Sequence, residues 1–182
     1  MSVIMNHAQC VDIHGSQYNI GKMIAAGKLF KIEPGIYSES EHVPEIAILA
    51  FKYPKAVVTM HSAFYMHGLT DVIPEGYDFA TDRDAAKISD KRVNQYFYPK
   101  ETLLDGIEKI NHRGYEIQIY SKERMLVELI RYKNKLAFDY YKEIILNYRK
   151  LIPHLDIQAI QDFAISSPKS DMIMEVLQLE VF

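Results

Sequence analysis

Apolar and polar positions recur along the chain with two periods, and the change from one to the other marks the elements. In Gln17–Ala26, Ile20, Met23 and Ile24 fall three and four residues apart, the spacing of one helix face. Ser16 suits an N-cap at its start, and Gly27 suits the position just past its end. From Lys28 to Glu33 the period is two, with Lys28, Phe30 and Ile32 on one side and Leu29, Lys31 and Glu33 on the other, which predicts a strand. Pro34-Gly35 makes a turn, and Ile36-Tyr37-Ser38 restarts a strand. Helix, glycine, strand, tight turn, strand is the order of a recognition helix followed by a β-wing.

A second domain is expected from about Ser40, giving domains 1–39 and 40–182. Pro44 opens a helix to about Phe51, and His61–His67 reads as a helix ending at Gly68. Ala56–Thr59 is a short buried strand or helix lead-in. Tyr77–Thr81, Asn94–Tyr98 and Tyr115–Tyr120 read as strands, the last with clean alternation. Ser121 then caps a helix whose stripe is Met125, Leu126, Leu129 and Ile130. Asp139–Lys150, Asp156–Ile165 and Ser170–Leu179 repeat the helical pattern. The expected class is α+β: a truncated winged helix-turn-helix, then a mixed α/β domain with a helical C-terminal part. The truncation follows from length. Only about 14 residues precede Gly15, room for one helix at about 1.5 Å per residue, where two usually stand before a recognition helix.

Charge changes the picture more than composition does. The net charge is −3, so the chain is not a globally basic nucleic-acid binder. Residues 83–150, however, carry 15 basic and 10 acidic side chains, between two acidic ends. If those cations share a face, it could meet phosphate; the alternative is that they line solvated helix faces. Cys10 is the lone cysteine, so no intrachain disulfide or thiolate cluster forms, which fits a reduced, cytoplasmic setting. No apolar run approaches the roughly 20 residues of a membrane span. Met1–Gln9 lacks the charged start and apolar core of a signal peptide.

Three segments together resemble a known family. They are Ile24-Ala25-Ala26-Gly27-Lys28-Leu29-Phe30-Lys31-Ile32-Glu33-Pro34-Gly35-Ile36-Tyr37, Val57–Thr70 with its Ser62-Ala63…His67-Gly68-Leu69-Thr70, and Ser121–Arg131 with Glu123-Arg124…Glu128…Arg131. In this order they are similar to AbiEi-type antitoxins of type IV toxin–antitoxin pairs, linked to abortive phage infection. The resemblance implies an N-terminal winged helix that binds promoter DNA and represses its own operon. It also implies a C-terminal domain that counters a nucleotidyltransferase-type toxin without a stable complex. Two features depart from that pattern: the shortened front end, and a balance within residues 1–40 of Lys22, Lys28 and Lys31 against Asp12, Glu33 and Glu39.

The candidate contacts follow from docking geometry. The N-terminal part of a recognition helix meets base edges, which selects Gln17, Tyr18, Asn19 and Lys22, with Lys28 and Lys31 on the wing. One other reading is a capped surface helix packing on the next domain; another is a winged helix that no longer binds DNA and serves as a docking or dimerisation surface. Arg83, Lys87, Lys91 and Arg92 could extend a basic face or meet the toxin or its substrate. No catalytic, cofactor or metal site is assigned. His61 and His67 are six apart rather than four, the wrong spacing for a metal pair on a helix, and His67 suits a helix terminus. Asp78, Asp82 and Asp84 lack the Gly-Ser turn of a nucleotidyltransferase, and Asp78 with Glu116-Ile117-Gln118 lacks the lysine of a nuclease pattern. No Ser/His/Asp order is evident, and Cys10 sits in an apparently loose N-terminus. The 13 tyrosines, as in Tyr96-Phe97-Tyr98 and Tyr140-Tyr141, suit interfaces, base stacking or half-buried packing.

Overall fold

The computed structural model describes residues 3–182; Met1 and Ser2, part of the segment screened for a signal peptide, lie outside the described residues. Helices and mixed sheets make the class α+β. Contacts divide the chain into Met1–Pro54 with Ile110–Ile117, and Lys55–Lys109 with Gln118–Phe182.

The first unit begins with β1 (Ile4–Asn6), α1 (His7–His14) and α2 (Gln17–Ala25), followed by β2 (Phe30–Glu33), β3 (Ile36–Ser38) and α3 (Glu45–Lys52). Its helix α3 extends beyond the Ser40 start expected for the second domain. The strands form an antiparallel sheet in the order β1-β3-β2, with Met5 opposite Tyr37 and a register shift between Lys31 and Glu33. Asn6 and Gln9 cap α1 reciprocally, each side chain accepting from the other's backbone N–H at 2.9 and 2.8 Å. Gly15 ends α1 in the left-handed region, and the next residue, Ser16, caps α2 through the N–H of Asn19. The end of α2 is a Schellman turn: Lys28 N–H reaches Met23 O and Gly27 N–H reaches Ile24 O.

Met5, Cys10, Ile20, Leu29 and Tyr37 form the core of this unit, with Val11 and Met23 packed against it. Cys10 is therefore not in a loose N-terminus. It faces inward from α1, and burial pushes its thiol pKa up. Ile24, expected on the buried stripe, is exposed instead, because Ile20 and Met23 already span the face that meets the sheet.

The second unit contains β4 (Val57–Val58), α4 (Met60–Met66), β5 (Tyr77–Asp82), β6 (Val93–Tyr98) and α5 (Lys100–Leu103). β7 (Ile107–His112) and β8 (Tyr115–Tyr120) follow, with residues 110–117 grouping with the first unit. Helices α6 (Lys122–Arg131), α7 (Phe138–Leu151), α8 (Ile157–Ser166) and α9 (Ser170–Val176) complete it. Strand order is β6-β5-β4-β8-β7; β4 runs antiparallel to β5 and parallel to β8, and β5 parallel to β6. Parallel neighbours normally need a helical crossover. Here the connection, residues 83–92, holds no helix and is pinned by Gln95 on β6: its amide nitrogen donates to Thr81 Oγ1 and Ala86 O, and its carbonyl accepts from Ile88 N–H.

Helix α6 carries the heart of this unit. Met125, Leu126, Leu129 and Ile130 are buried as their periodicity predicts, but so are Arg124 and Glu128. The Glu128 carboxylate meets Arg124 Nη2 at 2.9 Å and Arg131 Nε at 3.0 Å, and accepts from the Tyr98 hydroxyl at 3.1 Å. The guanidinium of Arg124 lies over the rings of Tyr120 and Phe163, and that of Arg131 over Tyr98 and Tyr132. Burial acts to lower the Arg131 pKa, but Glu128, Tyr98 and Tyr132 together hold it above its usual value. Gly106 closes the site. Its φ is +70°, and a Cβ there would fall 2.8 Å from Phe163 and 2.9 Å from Arg124.

Two substitutions test this account by urea unfolding. Glu128→Ala leaves two guanidinium groups without their shared carboxylate and is expected to cost about 3–5 kcal/mol. Gly21→Ala, within α2 where an added Cβ meets nothing within 4 Å, is expected to stabilise by about 0.5–1 kcal/mol.

Candidate functional site

The side chains selected from sequence lie on α2, on the turn after it and on β2. Gln17, Tyr18, Asn19, Lys22, Lys28 and Lys31 are all exposed, Tyr18 at 71 %. Tyr18 and Lys22 sit one turn apart, and the Lys22 ammonium stands 4.5 Å above the Tyr18 ring. Two of the six are partly committed. Asn19 donates its side-chain amide to His14 O at 2.8 Å, clasping the joint between α1 and α2, and Gln17 Oε1 lies 2.6 Å from His7 Nε2. His7 is exposed and belongs to the same surface; its distance from α2 in sequence hid it.

The local charge balance also differs from the simple count. Glu33, the carboxylate of the hairpin, pairs with Lys52 of α3 at 3.3 Å. Lys22, Lys28 and Lys31 thus stand on a surface whose nearest strand carboxylate is neutralised.

In the second unit, Arg83, Lys87, Lys91 and Arg92 all lie in the loop from β5 to β6. The first three are exposed, whereas Arg92 grips Asp90 with two bonds, Nε–Oδ1 at 3.0 Å and Nη2–Oδ2 at 2.8 Å.

Asp78 is the most enclosed carboxylate of the aspartate group, 1 % exposed on β5. Its Oδ2 accepts from the backbone N–H and Nδ1 of His61 at 2.8 and 2.9 Å, and its Oδ1 from Asn94 at 2.9 Å. A carboxylate only accepts, so Nδ1 of His61 carries the proton of this bond. Tyr140 stacks on this imidazole, with ring centroids 5.2 Å apart. Burial, then the charge of Asp78, pushes Tyr96 up to about 12, and the same two causes lift Tyr140 further. Ser62 is occupied elsewhere: its hydroxyl donates to Gly76 O and accepts from the Asp78 backbone N–H. The cluster ties the start of α4 to β5 and β6. Asp82 lies four residues along β5, about 13 Å away at strand rise, and caps the turn at Asp84. No group of three His, Cys, Asp or Glu side chains among the described residues is placed to hold a metal ion.

His67 ends α4, and Gly68 and Leu69 close a second Schellman turn onto Tyr65 O and Phe64 O. The His67 imidazole bonds Tyr120 O at 2.7 Å, and burial, its main cause, lowers its pKa.

No protein-family model matches the chain, and no curated protein matches it. No helix among the described residues is long and apolar enough to cross a membrane.

Asp78→Ala should cost about 1–3 kcal/mol by leaving the His61 and Asn94 donors without their acceptor, measured by chemical denaturation. A second test uses pH. His67 stays neutral in the folded chain while the unfolded chain protonates below its ordinary value of 6.5. Stability is therefore complete above 6.5 and falls as the pH drops from there towards the lower folded value. His67→Gln should flatten part of that slope in melting curves recorded from pH 7 to 5; the remainder belongs to His112, which burial and Arg113 also lower.

Proposed function

We propose that this protein is a DNA-binding transcriptional autorepressor of the AbiEi-like antitoxin type, acting in the cytoplasm by binding rather than by catalysis. The observation that carries the DNA-binding half is the front end. Two helices meet at a glycine turn, a hairpin follows, and the strand order is β1-β3-β2, an arrangement that supports reading the front end as a winged helix. Its second helix turns Tyr18 and Lys22 to solvent, and Lys28, just after that helix, and Lys31 on β2 are exposed as well. Pairing of Glu33 with Lys52 removes the nearest repulsion from a phosphate. The partners are the protein's own promoter and, functionally, a nucleotidyltransferase-type toxin.

A second reading has its own support. Ile13 and Ile24 are exposed on α1 and α2 along with Tyr18, apolar groups that suit a protein surface better than a phosphate backbone. On that reading the winged helix is a docking module.

A gel shift with DNA from upstream of the coding sequence separates the two. Specific binding is expected, with log K falling against log salt at a slope of about −3 for three lysine–phosphate contacts. Lys22→Ala should reduce that slope by about one. A shift that is absent, or unchanged by salt, overturns the repressor half. Co-expression with the product of a neighbouring nucleotidyltransferase gene tests the other half: growth should be restored, and continued arrest overturns it.

A further inference from the structure

A cavity of about 290 Å³ opens on α7 of the second unit. It is lined by Phe138, Tyr141, Ile145 and Leu146 and by the cationic Lys133, Lys142 and Arg149. One acidic residue enters, Glu180 from the helical turn Leu177–Val181. The way Glu180 is held shows what these walls recognise. Its carboxylate is bound by Lys133 on one oxygen and by the Tyr141 hydroxyl, at 2.8 Å, on the other. Arg149 Nε donates to its backbone carbonyl at 2.5 Å.

One glutamate does not balance three cations. Lys142 makes no hydrogen bond or ion pair among the described residues, and the terminal nitrogens of Arg149 make none either. Beside these charges Phe138 is 71 % exposed and Leu146 is exposed as well, so an apolar step lies next to unsatisfied positive charge. A cavity of this size lies just below the usual span of small-molecule sites, about 300–1,000 Å³, and suits one or two side chains of a partner rather than a cofactor.

We propose that this cavity is a docking site for an acidic peptide segment of a partner protein, one presenting carboxylates next to bulky apolar side chains. Glu180 shows the carboxylate geometry from within the chain. Lys142 and Arg149 supply charge for a second carboxylate, and Phe138 and Leu146 receive the apolar side chain. Aromatic and arginine side chains around an apolar centre are the composition of an interface hot spot. The exposed apolar step at Phe138 and Leu146 beside these cations favours a peptide with bulky apolar side chains over a phosphate backbone. The proposal stands apart from the DNA-binding reading, since it concerns only the second unit.

The test is fluorescence anisotropy with the full chain and a labelled twelve-residue peptide of alternating Glu with Leu or Phe, beside the same peptide with Gln for Glu. The acidic peptide should bind, and weaken as salt rises. Lys142→Glu and Phe138→Ser should each weaken it about 10-fold, as loss of one charge contact or one apolar anchor at an interface does. Both side chains are exposed, so the melting temperature should hold and show the fold intact. Equal binding of the two peptides, no effect of Lys142→Glu, or absence of binding overturns the proposal. So does preferential binding of a single-stranded oligonucleotide of equal charge, displaced by the same substitution, which would make the cavity a nucleic-acid site.

Discussion

A carboxylate with no solvent exposure must be surrounded by positive charge or hydrogen-bond donors, and in this chain that requirement organises the second unit. Glu128 draws Arg124 from the preceding turn of α6, Arg131 from the following one and the Tyr98 hydroxyl from β6. Each arginine in turn needs cover for its flat faces, and Tyr120, Phe163, Tyr98 and Tyr132 provide it. One buried charge thereby aligns α6 with the strands bearing Tyr98 and Tyr120 and with α8. Arg124 Nε remains buried with no hydrogen-bond partner, so stacking on aromatic rings does part of what a second acceptor would do. Such a network adds less net stability than its short distances suggest, because both ions lose their water. It does penalise any packing in which these helices and strands fail to meet, and specificity of fold is where its effect lies.

The hydrophobic periodicity reveals most of the framework because most elements bury one regular face. β8 is the clearest instance: Tyr115, Ile117 and Ile119 are buried, while Glu116 is exposed. Elements that break this rule are hidden. α1 buries Cys10 alone, so His7–His14 carries no stripe to detect, and β1 is only three residues long. β7 half-buries Ile107 and Ile110, three apart, with Glu108 and Lys109 exposed, which is not the alternation of a strand. It is held as a strand by pairing with β8 across the Arg113-Gly114 turn, where both residues have positive φ, so its one local signal is the glycine of that turn. Glu128 and Arg124 read as the polar side of a helix and prove to be its interior, since pairing is invisible to a hydrophobicity count.

The candidate contact surface was legible in part. The exposure of Gln17, Tyr18 and Lys22 follows from the same periodicity that buries Ile20 and Met23. The commitments of Gln17 to His7 and Asn19 to His14 do not, because they depend on how α1 folds back beside α2. Counting charges over residues 1–40 gives zero, yet Lys52 lies outside that window and cancels Glu33 from there. Balance on a surface is a property of pairs, and pairs are set by the fold.

The residues behind the family resemblance sort in an instructive way. Ser121 caps α6, the Glu123 carboxylate accepts from the backbone N–H of Asp156, and Arg124, Glu128 and Arg131 form the buried network. In the other segment, Ser62 binds the backbone of β5, His67 reaches Tyr120, Gly68 takes a left-handed turn, and Leu69 and Thr70 are buried. Nearly all of these are groups that build the fold. A likeness carried by such residues argues for a shared architecture much more strongly than for a shared partner, because any protein with this architecture needs them whatever it binds. On the readings proposed above, recognition would instead rest on exposed side chains: Tyr18, Lys22, Lys28 and Lys31 in the first unit, Phe138 and Lys142 in the second. Those positions are free to change without cost to stability. Side chains of this kind are the ones in which a binding preference can vary while the buried framework stays the same.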